Sequence, residues 1–303
     1  MLHKTIIDWY KNKSVLITGG CGFIGSRLAQ TLVEASAQVT ILDNLSTGNL
    51  QSISSFATSI TFIHGSITDF ITCLATTKNQ EIIFHLAACT SVPNSIQTPH
   101  DCYMTNVTGT QNLLEAARIN NVQRFIFASS AAVYGNQADV CHEDLPCTPQ
   151  SPYGYSKQIG ELLCKQYTQN YQLQTICPRY FNVFDEHHNG KNSGEGVVAQ
   201  FQKQITNNQP ITIFGDGMQV RDFVPIQTIV DATITLATLN RTEMNGQAVN
   251  IATGKSITML TLIENLKKKS PGYSAEVLFQ PARPGDLKYS YANCSKYKHL
   301  SNQ

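Results

Sequence analysis

No apolar run in this sequence approaches the roughly 20 residues that a helix needs to cross a bilayer. Charge is scarce as well: charged residues make up 14% of the chain, the formal net charge is +1, and no basic tract stands out. Neither nucleic acid nor a membrane is therefore an expected partner. Nine cysteines are present, but an odd count without a Cys-x-x-Cys pair offers neither a disulfide framework nor a metal site. Reduced thiols, buried as small hydrophobes in a cytoplasmic protein, are the expected state. The first thirteen residues carry Asp8, Trp9 and Lys11 and lack the apolar stretch of a signal peptide. Their apolar positions Leu2, Ile6, Ile7 and Trp9 predict a short helix leading into the first strand. No internal repeat or low-complexity tract is evident. What is left is 303 residues, 42% hydrophobic, enough for one large α/β domain or one domain with a lobe.

The chain is organised around Ser14-Val-Leu-Ile-Thr-Gly19-Gly-Cys-Gly22-Phe23-Ile24-Gly25-Ser26. Val15, Leu16 and Ile17 read as a buried parallel strand. Glycines break it, and Phe23, Ile24, Leu28, Leu32 and Val33 then recur at helical spacing. Strand, glycine turn and helix in that order make a pyrophosphate site. The glycines let the backbone approach the ligand, and the first helical N–H groups face its charge. The spacing Gly19-x-x-Gly22-x-x-Gly25 is one residue wider than the GxGxxG form of dehydrogenases. The next strand-like run, 38–42, ends in Asp43, eighteen positions beyond Gly25. A carboxylate there meets the adenosine ribose 2′-hydroxyl and repels the 2′-phosphate of NADP, so NAD is the expected cofactor.

Strand-like runs at 15–18, 38–42, 60–64, 82–86, 125–129 and 175–180 alternate with helix-like runs at 23–35, 101–120 and 153–171. This is the pattern of a Rossmann-type α/β fold, a doubly wound parallel sheet. The loops after Asp43, after Ala88, after Ser130 and after Asn182 follow its strand ends and are expected to converge there. Beyond residue 180 the rhythm changes. A polar, glycine-rich loop at 185–196 precedes a helix near 197–207, a strand at 211–214, a helix from Ile226 and a strand near 248–251. Residues 1–180 are thus expected to form the cofactor domain. Residues 181–303 are expected to form mainly a smaller α/β substrate lobe, with some segments returning to the sheet. Asp185, Glu186, His187 and His188 read as a solvated loop, since adjacent histidines point apart.

Tyr153 and Lys157 lie four residues apart just after Pro152, on one face of a predicted helix. A phenol beside an ammonium is a candidate acid/base pair, because the cation favours phenolate and lowers the Tyr pKa from about 10. Reaching about 7 takes ~4 kcal/mol of differential stabilisation. Upstream, Phe127-Ala-Ser129-Ser130-Ala131-Ala132-Val-Tyr134-Gly135 ends a central strand in hydroxyls, one of which can bond the substrate oxygen that Tyr153 deprotonates.

Together these pieces resemble the extended short-chain dehydrogenase/reductases, and among them the UDP-sugar 4-epimerases. The resemblance is carried by the glycine stretch, Leu42-Asp43-Asn44-Leu-Ser46-Thr47-Gly48, His85-Leu86-Ala87-Ala88, Ser91-Val-Pro-x-Ser95-Ile96, Asn106-Val-Thr-Gly-Thr, the Ser129–Gly135 run, Ser151-Pro-Tyr-Gly-Tyr-Ser-Lys157, Arg179-Tyr180-Phe-Asn182, Gly215-Asp-Gly-Met-Gln-Val-Arg221 and Arg283-Pro-Gly-Asp286, in that order. It implies an isomerase that oxidises the sugar at C4, turns the keto sugar over and reduces it on the other face, with NAD retained. Tyr153 would be the base, Ser130 its hydroxyl partner and Lys157 the group that holds the nicotinamide ribose. The cofactor would lie along Gly19, Gly22, Phe23, Ile24, Gly25, Asp43, Asn44, Ser46, Thr47, Gly48, Ser66, Ile67, Leu86, Ala87, Ala88, Asn106 and Tyr180. The substrate would meet Thr90, Asn182, Val197, Arg221, Arg283, Asp286 and Ser290, the arginines suiting a diphosphate. Ser66 stands where the family usually has Asp against adenine, and Asp185 where Gly is common. The family usually continues for a few tens of residues past the position of Gln303.

The same fold serves UDP-glucuronate 4-epimerases and decarboxylases, 4,6-dehydratases and reductases. A dehydratase needs an acid/base pair beside its hydroxyl, where this chain has Ala131 and Ala132. A non-catalytic NAD-binding protein would be expected to lose part of the Ser130–Tyr153–Lys157 set, which is complete here. At Ser290 a bulky Tyr resembles the glucose/galactose enzymes, and a small residue leaves room for an acetamido group. UDP-GlcNAc/UDP-GalNAc is therefore the favoured pair, with UDP-glucose/UDP-galactose the other, and surface polysaccharide precursors the natural outlet. By the same resemblance, the helices at 101–120 and 153–171 form a four-helix homodimer interface, with apolar faces from Leu113, Leu114, Ile159, Leu162 and Leu163, faces that can equally pack on the sheet.

Overall fold

The structure is a computed structural model, and it describes residues 3–137, 139–185, 196–282 and 287–301. Helix α1 (Lys4–Tyr10) leads into β1 (Ser14–Thr18), α2 (Phe23–Glu34), β2 (Gln38–Asp43) and β3 (Ile60–His64). Next come α3 (Phe70–Thr76), β4 (Ile82–His85), and the short helices α4 (Val92–Gln97) and α5 (Pro99–Tyr103). Helix α6 (Gly109–Ile119), β5 (Arg124–Phe127), β6 (Ser129–Ser130), α7 (Pro152–Tyr171) and β7 (Gln174–Tyr180) complete the first part.

The later part contains β8 (Asn182–Phe184), α8 (Val197–Thr206), β9 (Ile211–Phe214), β10 (Val220–Pro225), α9 (Ile226–Leu236) and β11 (Asn245–Ile251). It ends with β12 (Ser256–Thr258), α10 (Met259–Lys268), β13 (Val277–Gln280), β14 (Tyr289–Ser290) and α11 (Ser295–Ser301).

The main sheet runs β11-β7-β5-β4-β1-β2-β3, with β6 also on β7, and every pairing is parallel. Its central strands carry unbroken apolar runs, Val15–Ile17, Ile82–Phe84 and Phe125–Phe127, because helices cover both faces. Leu28 and Leu32 of α2 pack with Ile229 and Val230 of α9 on one side. Leu113 and Leu114 of α6 pack with Cys164 and Tyr167 of α7 on the other. The Tyr10 hydroxyl donates to the Ile234 carbonyl at 2.7 Å and pins α1 to α9. The order reverses between β1 and β4, and in such sheets ligands bind at this point, beyond the strand ends.

The strand near 248–251 joins the main sheet beside β7, so the chain after residue 180 serves two bodies. The second body holds the sheet β12-β10-β14, with β8 also on β10, and the pair β13-β9. Helices α8 and α10 bury Phe201, Ile205, Leu262 and Ile263 against β9.

Two predicted elements are broken. The single helix over 101–120 is α5, a π turn at Met104–Thr108, and α6. The wider turn brings Asn106 into the interior, where its amide bonds the backbone of Cys89. The strand over 125–129 pauses at Ala128, whose carbonyl accepts from Lys157 Nζ at 2.7 Å.

Candidate active site

The glycine turn is held open for a ligand. Gly19 has φ +72°, and a Cβ on it would lie 2.7 Å from the Ala87 backbone nitrogen. A Cβ on Gly25 would overlap the Gly19 carbonyl oxygen, so helix and turn can approach this closely only with glycine. Gly22 is the N-cap of α2, and no side chain caps the first N–H groups. Those groups are left to face an anion. The Asp43 carboxylate is aimed by two backbone donors: Cys21 N–H to Oδ2 at 2.9 Å and Leu45 N–H to Oδ1 at 2.8 Å. A pyrophosphate cradle and a fixed carboxylate one strand away fit an adenine dinucleotide without a 2′-phosphate.

Beneath the neighbouring wall, Thr18 Oγ1 lies 2.7 Å from His85 Nδ1, and His85 Nε2 lies 2.9 Å from Thr110 Oγ1. Thr110 donates its own proton to the Asn106 carbonyl at 2.6 Å. It must therefore accept from His85, which fixes a neutral imidazole protonated at Nε2. Burial first, and Lys157 second, push the His85 pKa down to about 3. An unfolded histidine binds its proton near pH 6.5, so the unfolded state holds more protons between 6.5 and 3, and stability is lost as the pH is lowered through that window. Urea denaturation at pH 7 and pH 5 is expected to show a loss of about 2 kcal/mol that His85→Gln does not share. Equal losses in both proteins contradict this.

Ser151 N-caps α7 through its hydroxyl, which accepts from the Gly154 N–H at 3.1 Å, and Pro152 opens the first turn. Tyr153 is fixed by its own N–H, which donates to Ser95 Oγ at 3.2 Å. Ser130 lines the same cleft as Tyr153, and its hydroxyl accepts from the Ala132 N–H at 3.2 Å. Ser129 has another task. Its hydroxyl donates to Glu161 Oε1 at 2.5 Å, within a buried pair in which Arg179 grips both Glu161 oxygens at 2.8 and 2.7 Å.

Lys157 Nζ stands 5.9 Å from the Tyr153 ring centroid, and burial brings its pKa down to about 8. The expected lowering of the Tyr153 phenol by Lys157 does not occur. Burial holds the phenol above its ordinary value, and the neighbouring Ser130 hydroxyl acts the other way. The ammonium is turned to the Ala128 carbonyl instead.

These groups share one cleft of about 1270 Å³. That exceeds the ~300–1,000 Å³ of a single small-molecule pocket and suits two nucleotide-sized ligands side by side. Its wall includes Gly19, Gly22, Phe23, Ile24, Gly25, Asp43, Asn44, Ser46, Thr47, Gly48, Ser66, Ile67, Leu86, Ala87 and Ala88. Thr90, Ser130, Tyr153, Lys157, Tyr180, Asn182, Arg221 and Ser290 continue it.

Asn106 sits one layer below the wall, and Val197 packs into the lobe core rather than on the cleft. The Tyr180 hydroxyl bonds Thr233 Oγ1 at 2.7 Å, so Tyr180 offers the cleft only its ring. Asn182 Nδ2 donates to the Asp222 carbonyl at 3.0 Å, tying β8 to β10, and Ser290 stands in register with Arg221. Arg283 and Asp286 lie outside the described residues, as do Glu186, His187 and His188. Sequence reasoning missed Cys89, Asn94, Asp101 and Gln150 as wall residues. Cys89, Asn94 and Gln150 adjoin or lie within the stretches His85–Ala88, Ser91–Ile96 and Ser151–Lys157, and that adjacency is the signal that could have found them.

Residues 15–252 match the model of the NAD dependent epimerase/dehydratase family. The chain belongs to that family: it is an enzyme that works with NAD, and an isomerase. A Methanocaldococcus jannaschii protein, provisionally named as a UDP-glucose 4-epimerase, is 37% identical over 290 residues, covering 94% of this chain and 92% of its own. The structure of a UDP-N-acetylglucosamine 4-epimerase from Methanobrevibacter ruminantium, in complex with UDP-N-acetylmuramic acid, superposes with a TM-score of 0.89 at 33% identity. It covers 96% of this chain and 92% of that one. A Thermus thermophilus UDP-glucose 4-epimerase in complex with NAD gives a TM-score of 0.85 at 30% identity, with 94% and 92% covered.

Proposed function

We propose that the chain is a UDP-sugar 4-epimerase whose preferred pair is UDP-GlcNAc/UDP-GalNAc, with UDP-glucose/UDP-galactose as the second pair. The observation that carries the reading is the convergence of Ser130, Tyr153 and Lys157 on the same cleft as the glycine cradle and Asp43. NAD, when bound, supplies reversible hydride chemistry at the sugar C4. Tyr153 takes the 4-hydroxyl proton and gives it back, and Ser130 holds that oxygen in line. Lys157, close behind the phenol, supplies positive charge that favours phenolate once its bond to Ala128 is exchanged for a ligand hydroxyl. Arg221 faces the nucleotide end with a fork suited to a diphosphate.

The N-acetyl preference rests on Ser290, a small buried side chain at the cleft wall. A relative named for UDP-N-acetylglucosamine supports it as well. Ala131 and Ala132 beside Ser130 speak against a dehydratase, which needs carboxylic groups at that place. Comparing kcat/KM for UDP-GalNAc and UDP-galactose tests the preference. A higher value for UDP-GalNAc is expected, and a tenfold advantage for UDP-galactose contradicts it.

The assembly proposed is a homodimer in the cytoplasm, serving polysaccharide precursors. Leu113 and Leu114, expected on the interface, are buried against the sheet instead, because the α6 stripe that carries them faces the core. The outer face offers Leu162, 60% exposed, with Tyr155 one heptad earlier and Met104 on the neighbouring π turn. Leu162→Arg is expected to shift the protein from dimer to monomer in light scattering. An unchanged mass would place the interface elsewhere.

A further inference from the structure

Cys89 follows β4, is partly exposed and lines the cleft, whereas Cys102 on α5 is buried. One amide holds the two together. Asn106 Nδ2 donates to the Cys89 carbonyl at 3.0 Å, and Asn106 Oδ1 accepts from the Cys89 N–H at 2.8 Å. The same Nδ2 stands 3.6 Å from Cys102 Sγ, so a single amide nitrogen bridges the Cys89 backbone and the Cys102 sulfur. Ser156 links this cluster to the candidate base: its Oγ accepts from Asn106 Nδ2 at 2.9 Å and donates to the Tyr153 carbonyl at 2.7 Å.

We infer that Cys89 and Cys102 form an oxidation site in which a peroxide entering the cleft converts the two thiols to a disulfide beneath Tyr153. The Cys89 sulfur attacks the peroxide, the O–O bond breaks, and a sulfenic acid and one water result. The Cys102 sulfur then attacks Cys89, the S–O bond breaks, and a second water leaves. Two thiols are oxidised to one disulfide, and one hydrogen peroxide is reduced to two waters.

Access decides which sulfur reacts first. Burial raises the Cys102 pKa and keeps that thiol protonated, while Cys89 meets the cleft. Cys164 and Cys177 are also neighbours, but both are buried in the core between α7 and the sheet, away from the cleft. Drawing the two sulfurs to bonding distance displaces the Asn106 and Ser156 contacts under Tyr153. Small misplacements of a reacting group cost about 100-fold in rate.

The test treats the purified protein, with whatever NAD it retains, with hydrogen peroxide, then alkylates, digests and maps it by mass spectrometry. A Cys89–Cys102 linked peptide, lighter by two hydrogens than the separate pair, is expected, and dithiothreitol should reverse it. Epimerisation should fall at least tenfold in step with the link and return with reductant. Cys102→Ala should keep its untreated activity and form no link. Recovery of both cysteines alkylated after treatment overturns the proposal, as does a link at another pair. The mapping stands apart from the assigned reaction, and only the activity arm rests on it. A mapped link in a protein without epimerase activity would thus sink the functional reading and leave the oxidation site.

Discussion

Tyr153→Phe is expected to lower epimerisation by about 10²–10⁴-fold while leaving nucleotide binding and folding nearly intact. The substitution removes one oxygen and keeps the ring. Tyr153 lines the cleft wall, so loss of that oxygen leaves no buried donor stranded in the core. Without it the sugar 4-hydroxyl has no group placed to receive its proton. Lys157, held at the Ala128 carbonyl 2.7 Å away, is a cation at neutral pH and not a substitute base. Turnover of the pure variant, together with calorimetric binding of UDP, checks both halves. A rate within threefold of the parent would remove Tyr153 from the base role.

Ser290→Tyr is expected to cost about 100-fold, ~3 kcal/mol, in kcat/KM for UDP-GalNAc, with a much smaller change for UDP-galactose. Ser290 sits on β14, in register with Arg221 of β10, and is 7% exposed. A phenol ring built from that short strand fills the space beside the sugar that an acetamido group would need. The backbone pairing that places it does not depend on the side chain. Equal losses for both substrates would mean that Ser290 reports on lobe stability and not on the sugar C2 substituent.

The central strands were legible because each carries a short apolar run bounded by polar loops. Val15–Ile17 and Ile82–Phe84 are buried on both faces, and this writes itself into sequence as a short continuous run. The cradle was legible because steric exclusion at Gly19 and Gly25 leaves no other residue type. The Tyr153–Lys157 pair was legible from helical period alone. What stayed hidden depends on contacts distant in sequence. The π turn at Met104–Thr108 exists with Asn106 reaching the Cys89 backbone, and local propensity cannot express that reach. The orientation of Lys157 depends on the buried Ala128 carbonyl, where β5 gives way to β6. The return of β11 to the main sheet follows from pairing with β7, seventy-one positions away at Ala248 and Cys177. The faces of α6 were ambiguous because an apolar stripe fits a sheet as well as a partner helix.

The central claim is a 4-epimerisation that runs on retained NAD. Purified protein incubated with UDP-GalNAc and no added cofactor, followed through the anomeric protons by NMR, tests it most directly. The account predicts that UDP-GlcNAc grows in until the two sugars reach equilibrium. A spectrum that never changes, with UDP-GalNAc or UDP-galactose and even after NAD is supplied, would contradict it.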